Sequence, residues 1–333
     1  MTSYIGYHNL LESGTVTAST EASGFEKENA YDNNTYDYWK PTALSSINIS
    51  KGTAQAGGTS SITLDSNDIS IENYYYAGTV TITGGTGSGQ VRTIVYYFGG
   101  SQIASVSPAW TTIPDNTSTY TISLPAATLS LAQSISVGAC DYFSVAAHDL
   151  FDNSAVIVLQ YSGDNFVNDI NYAFEPVIVS DNSPLFRAFA SFTKVYIRVL
   201  LTGAVASLGD VRFGERLEIP SGIPKPFKLL SESRESTRLI NKSEGGQKLG
   251  NSVIRFGIKG HSLKLRNLTP AWVRTNWPDF AEHIEKKMFV LQWDDTNYPD
   301  ETGLCWLEGE VPTPTYTHEL YLSATLKYGG QVR

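Results

Sequence analysis

The chain has 333 residues, which is enough for two or three domains that each have a core of their own. Hydrophobic residues make up 41% and charged residues only 17%, so the composition excludes a disordered chain and disfavours long solvated helices. The net charge is −9, and residues 1–218 carry 9 basic against 20 acidic side chains, an excess that argues against binding to nucleic acid.

Several sequence features of exported or membrane proteins are absent. The first residues lack the basic and apolar regions of a secretory signal, so no signal peptide is expected. No apolar run reaches the length of a membrane span. The two cysteines, Cys140 and Cys305, are far apart in the sequence and are expected to be lone buried thiols rather than a disulfide or a zinc site.

Residues 1–47 contain short strand signals followed by a turn-rich segment, Tyr31–Pro41, that mixes turn-forming Asp and Asn with aromatic residues. Residues 48–124 are dominated by Gly, Ser and Thr and are predicted to form an inserted small β domain. Its predicted strands are Ser61–Leu64, Thr79–Thr83, Val91–Phe98 and Ser118–Ile122. The glycine-rich segment at residues 84–90 predicts a hairpin turn, because Gln90 stands where a phosphate-binding loop needs Lys.

Residues 125–218 return to longer apolar strands that are enriched in β-branched residues. The predicted strands are Ser144–His148, Ala155–Tyr161, Ala173–Val179 and Lys194–Leu201. Their spacing of roughly ten residues, with turn signals between them, is typical of a sandwich or jelly roll. We assign residues 1–47 and 125–218 together to one discontinuous jelly roll.

Residues 219–333 are predicted to form a mixed β domain with one helix, after a proline-rich linker at residues 219–227. The helix is expected near residues 270–286, because Thr269 is a good N-cap and Pro270 a good first helical residue. Pro278 should kink or split it. Strands are predicted at Met288–Trp293 and Glu319–Lys327.

The turn-rich segment contains a family motif. Residues 28–39 resemble the Ala-x-Asp-Gly-Asn-x-x-Thr-x-Trp signature of the discoidin-like, or galactose-binding-like, jelly roll. Asp32 and Trp39 match the signature, and Asn33 stands in place of its Gly. In that family the Asp and Thr help to tie a loop, often around a calcium ion, and the Trp packs under it. The resemblance implies Asp32 and Thr35 as ligands of a structural Ca²⁺, and no other cofactor is expected.

A jelly roll of this type also implies contact with sugars. The candidate contacts are Tyr38, Trp39, Tyr75 and His148. Sugars stack their apolar faces on aromatic rings, and a histidine can donate a hydrogen bond to a sugar hydroxyl. The alternative for these side chains is a place in the core, at the rim of the jelly roll or in a subunit interface.

Two further segments resemble proteins of tailed bacteriophages. The insert resembles small β modules of phage structural proteins at Gly52–Gly57, Gly84–Ile94 and Val106–Asp115. Residues 219–333 are similar to distal-tail-type proteins at Ser243–Gly250 and Asn267–Val273. In that family the ring-forming domain is a tail-tube-like β sandwich with one helix, and it precedes the carbohydrate-binding-like domain, whereas the order is reversed here.

These resemblances imply a non-enzymatic virion protein of the tail tip or baseplate. It would form a ring with its own copies, contact the tail tube, hub and fibres, and leave the host cytoplasm by lysis. Candidate interface residues are Lys242, Glu244, Lys248 and Trp272. The first three lie in the loop Asn241–Gly250, which is expected to insert into a neighbouring subunit or to be an ordinary surface loop.

Other functions stay open on the sequence alone. The chain could instead be a carbohydrate-binding receptor-recognition protein with host-surface glycan as its partner, or a neck or head decoration protein. A glycan-degrading enzyme would need two carboxyl groups at a set separation, for which Asp294 and Asp300 are the candidates. Both lie in a segment with the composition of a solvated turn, and no nucleophile or metal motif accompanies them, so no enzyme is predicted.

Overall fold

The computed structural model describes residues 2–133, 138–223, 236–255 and 258–331. The predicted mainly β fold class is confirmed, because antiparallel sheets with two α-helices account for the ordered elements of these residues. The linker predicted at residues 219–227 lies outside the described residues from position 224 onward. No helix in the described part of the chain is long and apolar enough to cross a membrane.

The first part of the chain contributes nine strands and three 3-10 turns. The strands are β1 (Ser3–Gly6), β2 (Thr15–Ala18), β3 (Ser45–Thr53), β4 (Ala56–Gly58), β5 (Ser61–Thr63), β6 (Thr79–Gly84), β7 (Val91–Phe98), β8 (Ile103–Ser107) and β9 (Thr119–Ala132). The 3-10 turns are Leu10–Ser13, Lys27–Ala30 and Gly99–Ser101. Strand β7 has the predicted bounds, and β6 and β7 form the predicted hairpin around the glycine-rich turn.

The middle part adds eight strands and a short helix. The elements are β10 (Cys140–His148), α1 (Leu150–Asn153), β11 (Val156–Ser162), β12 (Asn171–Tyr172), β13 (Val177–Ile178), β14 (Leu185–Phe192), β15 (Tyr196–Thr202), β16 (Leu208–Gly214) and β17 (Arg216–Ile219). The predicted strand over residues 173–179 is reduced to the two residues of β13.

The last part holds a hairpin, a long helix and five further strands. The elements are β18 (Ser236–Lys242), β19 (Lys248–Arg255), β20 (Ile258–Leu268), α2 (Pro270–Lys286), β21 (Phe289–Gln292), β22 (Thr302–Leu307), β23 (Thr315–His318) and β24 (Tyr321–Gln331). Helix α2 begins at the predicted position, where Thr269 Oγ1 accepts a hydrogen bond from the Trp272 amide at 3.2 Å. It continues through Pro278, so the predicted split does not occur.

Strand β9 is shared by the insert and the jelly roll. Its N-terminal half pairs with β6 and its C-terminal half with β15 and β2, while β3 runs along most of its length. The largest sheet therefore continues from one unit into the other, in the order β12-β11-β15-β9-β6-β7-β8-β5-β4. The insert is thus joined to the jelly roll by a hydrogen-bonded sheet rather than by a linker.

The jelly roll is a sandwich of two sheets. The three-stranded sheet β14-β10-β16 packs on the part of the large sheet formed by β11, β15, β9 and β2. Inward-facing side chains of both sheets form one core, which includes Leu129, Phe143, Leu159, Val199 and Val211. Alternate residues of each strand face this core, as expected for sheets packed face to face. The predicted jelly roll is therefore confirmed as a fold.

The C-terminal sheet has the order β17-β1-β21-β22-β24-β20, with β23 on β24, and helix α2 packs on it. Trp277, Phe280 and Ile284 are the buried residues of α2. Strand β1 lies between β17 and β21, although the domain prediction assigns residues 3–6 to the jelly roll. The predicted domain boundaries stay a prediction, and the pairing adds that this strand belongs to the C-terminal sheet.

Candidate functional site

Two of the four predicted sugar contacts are core residues, which corrects their predicted role. Trp39 is fully buried, and its indole Nε1 donates a hydrogen bond to the carbonyl oxygen of Thr20 at 3.2 Å. Tyr75 is fully buried in the core of the insert, and its hydroxyl donates to the Asp68 carboxylate. Neither ring has a face that a sugar could reach, because protein atoms already cover both.

The other two predicted contacts are also held by protein partners. His148 is buried; its Nε2 lies 3.0 Å from the carbonyl oxygen of Ser183, and its Nδ1 accepts from the Leu150 amide at 3.4 Å. Burial lowers the pKa of this imidazole. Tyr38 is half-buried and stacks on Phe25, with ring centroids 4.7 Å apart. A sugar-binding role for these two residues stays a prediction.

The predicted calcium loop is tied by hydrogen bonds within the protein. Asp32 Oδ1 accepts from the Asn34 amide at 2.8 Å, which closes an Asx turn. Asn33, which stands in place of the Gly of the motif, has a φ of 62°, so it adopts the left-handed conformation that Gly adopts most readily. Thr35 is half-buried in the same turn. Within the described residues, no group of three or more His, Cys, Asp or Glu is arranged to hold a metal ion, and the predicted Ca²⁺ stays a prediction.

The predicted interface residues lie in two places. Lys242 and Lys248 are partners in the register of the β18–β19 hairpin, and Glu244 is exposed in the turn between them. This hairpin pairs with no other sheet in the described part of the chain. Trp272 is half-buried in the first turn of α2, against the core beneath that helix.

The candidate catalytic carboxylates have separate structural roles. Asp294 is buried, and its carboxylate accepts hydrogen bonds from the amide and the side chain of Asn297, the latter at 2.9 Å from Oδ2. Asp300 is exposed and forms an ion pair with Arg187 at 3.3 Å. One carboxylate caps a turn and the other joins two parts of the surface.

A cleft of about 550 Å³ opens between the insert and the jelly roll, in the size range of small-ligand sites. Aromatic, acidic and amide side chains from both units line it. The lining residues are Ser50, Lys51, Asp65, Asn67, Asp68, Ile69, Tyr161, Ile170, Asn171, Tyr172, Phe174 and Glu175. We call this the interdomain cleft.

The insert side of the interdomain cleft is formed by strand β3 and the turn that follows β5. Asp65 begins this turn, because its Oδ1 accepts from the Asn67 amide at 2.9 Å and from the Asn67 side chain at 3.0 Å. Asp68 is buried below it and accepts hydrogen bonds from Ser50 Oγ at 3.0 Å and from Tyr120 at 2.7 Å. Burial raises the pKa of the Asp68 carboxyl.

The jelly-roll side follows the end of β11 and contributes three half-buried aromatic residues, Tyr161, Tyr172 and Phe174. Tyr161 stacks on Phe192 at 3.9 Å between centroids. The Tyr172 hydroxyl donates to the carbonyl oxygen of Ile49 at 2.6 Å, which fixes the ring against strand β3. The aromatic wall is therefore held in place by packing and by a hydrogen bond to the opposite unit.

Polar contacts tie the two sides together. Arg198 is buried in the jelly roll, and its guanidinium donates to Gln160 at 2.8 Å and to the carbonyl oxygen of Asn48 at 2.7 Å. Lys51 donates to the carbonyl oxygen of Val167 at the rim. A cleft braced on both sides is preformed, so a ligand loses little binding energy to reorganisation of the protein.

Sequence reasoning missed the residues of the interdomain cleft. The only local signals were clusters of Asp and Asn at residues 65–68 and 168–172, of which the second contains the aromatic Tyr172. Such clusters predict turns equally well.

Comparison with known proteins adds no family. No protein-family model matches the chain, and no curated protein matches it.

Among solved structures the chain is similar to chitosan-binding module 1 of a chitosanase/glucanase from Paenibacillus sp. IK-5, with 14% identity over 62% of this chain and 99% of that one, at a TM-score of 0.33. A pectin-binding carbohydrate-binding module shows 10% identity over 60% of this chain and 89% of its own, at a TM-score of 0.28. A truncated AlyQ with CBM32 and alginate lyase domains shows 11% identity over 82% of this chain and 50% of the AlyQ chain, at a TM-score of 0.29. With TM-scores below 0.5, none of these likenesses carries an argument about this chain.

Proposed function

We propose that this chain is a non-enzymatic carbohydrate-binding protein and that the interdomain cleft holds the sugar. The observation that carries the proposal is the pairing of an aromatic wall with a hydrogen-bonding wall in a preformed cleft of about 550 Å³. Sugars have apolar C–H faces that stack on aromatic rings and hydroxyl groups that need donors and acceptors. Tyr172 and Phe174 supply the first requirement, and Asn67, Asn171 and Glu175 supply the second.

The proposal is binding without catalysis. Asp68, the buried carboxylate of the cleft, is engaged by hydroxyl groups of Ser50, Tyr75 and Tyr120 and by the Ile69 amide, so it is not free to act as a nucleophile. We expect a polysaccharide that binds to be recovered unchanged after long incubation. Release of shorter products that is lost when Asp294 and Asp300 are both changed to Asn would revive the enzymatic alternative.

Binding to a panel of soluble oligosaccharides, followed by calorimetry on those that bind, tests the main proposal. Tyr172→Ala should weaken binding about tenfold or more, as expected for a central aromatic contact, whereas Tyr172→Phe keeps the ring and should retain binding. Tyr316→Ala is the matched control, because Tyr316 is 61% exposed on β23 and lies outside the cleft. Equal affinities for the wild type and folded Tyr172→Ala would overturn the proposal.

We further propose that the protein serves in the tail of a phage virion, where carbohydrate contact would help adsorption. Support comes from the resemblance of residues 243–250 and 267–273 to distal-tail-type proteins. One structural feature favours it: among the described residues the β18–β19 hairpin pairs with no other strand, and an isolated two-stranded hairpin is only marginally stable in water. A neighbouring copy in a ring would add stabilising contacts to this hairpin.

Electron microscopy of particles carrying a tagged copy tests this second proposal. We expect density for the tag in a ring at the tail tip. We also expect that replacing Lys242 and Lys248 with Glu prevents ring formation while the isolated chain stays folded. A tag found at the neck or on the head, or its absence from particles, would refute a role at the tail tip.

A further inference from the structure

We infer that the interdomain cleft selects cationic amino sugars, of the glucosamine type, over neutral sugars and uronic acids. This inference rests on the proposed carbohydrate-binding function and adds the chemical class of the ligand. The supporting observation is the set of charged groups that line the cleft. These are the carboxylates of Asp65, Asp68 and Glu175 and the ammonium group of Lys51.

The single cation of the lining is already engaged at the rim. Lys51 Nζ donates to the carbonyl oxygen of Val167, in the loop that follows β11. That loop is itself held by Asp164, whose carboxylate accepts from the amides of Val167 and Asn168 at 3.1 and 2.8 Å. A uronate carboxylate would have to compete with these contacts for the lysine while it faced three carboxylates of its own sign.

Two of the carboxylates can reach a ligand. Glu175 is exposed, and its Oε2 accepts a long hydrogen bond of 3.4 Å from the Ser70 amide across the cleft. Asp65 is half-buried and uses Oδ1 to accept from Asn67. Among the described residues, the second oxygen of each of these carboxylates accepts no hydrogen bond from the protein. An ammonium group has three donors and would satisfy these oxygens in a charge-assisted way.

The wider charge distribution acts in the same direction. Residues 1–218, which contain both walls of the cleft, carry 9 basic and 20 acidic side chains, a net charge of −11. A field of this sign concentrates cations and repels anions near the protein, and low-dielectric walls strengthen it inside a cleft. An oligomer of uronic acid would meet repulsion before contact, whereas an amino-sugar oligomer would be attracted.

The test compares glucosamine oligomers, N-acetylglucosamine oligomers and galacturonate oligomers of equal length by calorimetry with the full chain. The measurement is made at about pH 6, below the pKa range of such amines. The first two ligands differ by an acetyl group that removes the charge. We expect the glucosamine oligomer to bind most tightly, with Glu175→Gln and Asp65→Asn each weakening it about two- to fivefold. Both variants should weaken binding of the glucosamine oligomer more than binding of the acetylated oligomer, and added salt should weaken only the binding of the glucosamine oligomer.

Glu282→Gln serves as the charge control, because Glu282 is an exposed carboxylate on α2, outside the cleft. One outcome overturns the inference on charge and leaves the proposed function standing. In that outcome the acetylated oligomer binds as tightly as the glucosamine oligomer, both depend on Tyr172, and the carboxylate variants weaken both to the same extent. Preferential binding of galacturonate has the same consequence. If no oligosaccharide binds in a Tyr172-dependent way, the proposed function fails and the inference fails with it.

Discussion

We predict that Arg212 holds the turn at residues 31–39 against strand β16. Its guanidinium pairs with Asp210 at 2.7 Å, and both side chains are only 2% exposed. It also donates to Asn33 Oδ1 and to the carbonyl oxygen of Met288, each at 2.7 Å. One side chain thus joins strand β16, the turn and the residue that precedes strand β21.

Replacement of Arg212 by Met should destabilise the protein by about 3–5 kcal/mol, because it leaves the Asp210 charge buried without its partner. Arg212→Lys should recover only part of this, since an ammonium group cannot reproduce the planar fork that contacts four acceptor atoms on three residues. The combined change of Arg212 to Met and Asp210 to Leu should recover much of the loss, because no unpaired charge remains.

Urea unfolding, followed by tryptophan fluorescence, measures these differences. The control is Lys286→Ala, which removes a surface ion pair between side chains that are 64% and 76% exposed and should cost less than about 1 kcal/mol. If Arg212→Met costs no more than this control, the structural role assigned to Arg212 is wrong.

Three further predictions concern buried and half-buried side chains. Trp39→Ala should destabilise the jelly roll by about 3–5 kcal/mol, because the substitution leaves a cavity in the core. Sugar binding by the folded variant should be unchanged. A loss of binding without a loss of stability would restore Trp39 as a ligand residue. Burial raises the pKa of the thiols of Cys140 and Cys305, so neither should react with iodoacetamide until urea unfolds the chain. Burial lowers the pKa of His283 from 6.5 to about 4, so between these values the unfolded state binds a proton that the folded state does not. Stability should therefore fall as the pH falls through this window, and His283→Gln should flatten the slope if the assignment is right.

The elements that the sequence predicted well are those with local signals. Strand β7 has its predicted bounds because β-branched and aromatic residues fill it between a glycine-rich turn and Gly99-Gly100. Helix α2 starts where Thr269 and Pro270 place it. Its continuity through Pro278 was missed, because packing of Trp277, Phe280 and Ile284 on the sheet outweighs the hydrogen bond that proline removes.

Features that depend on distant pairings could not be predicted. Strand β1 has only four residues, and its partner β21 is nearly three hundred residues away, so no local pattern assigns it to the C-terminal sheet. The burial of Trp39 and Tyr75 depends on which sheet face each aromatic residue meets, which short irregular segments do not reveal. The interdomain cleft combines Asp65 and Glu175, which come together only through the order of β3, β9, β15 and β11.

Hydrogen–deuterium exchange with and without a bound oligosaccharide tests directly whether the interdomain cleft is the binding site. We expect slower exchange at residues 65–70 and 161–175 when the ligand is present, with no change at residues 31–39. Slower exchange confined to residues 31–39, with residues 65–70 and 161–175 unaffected, would contradict it.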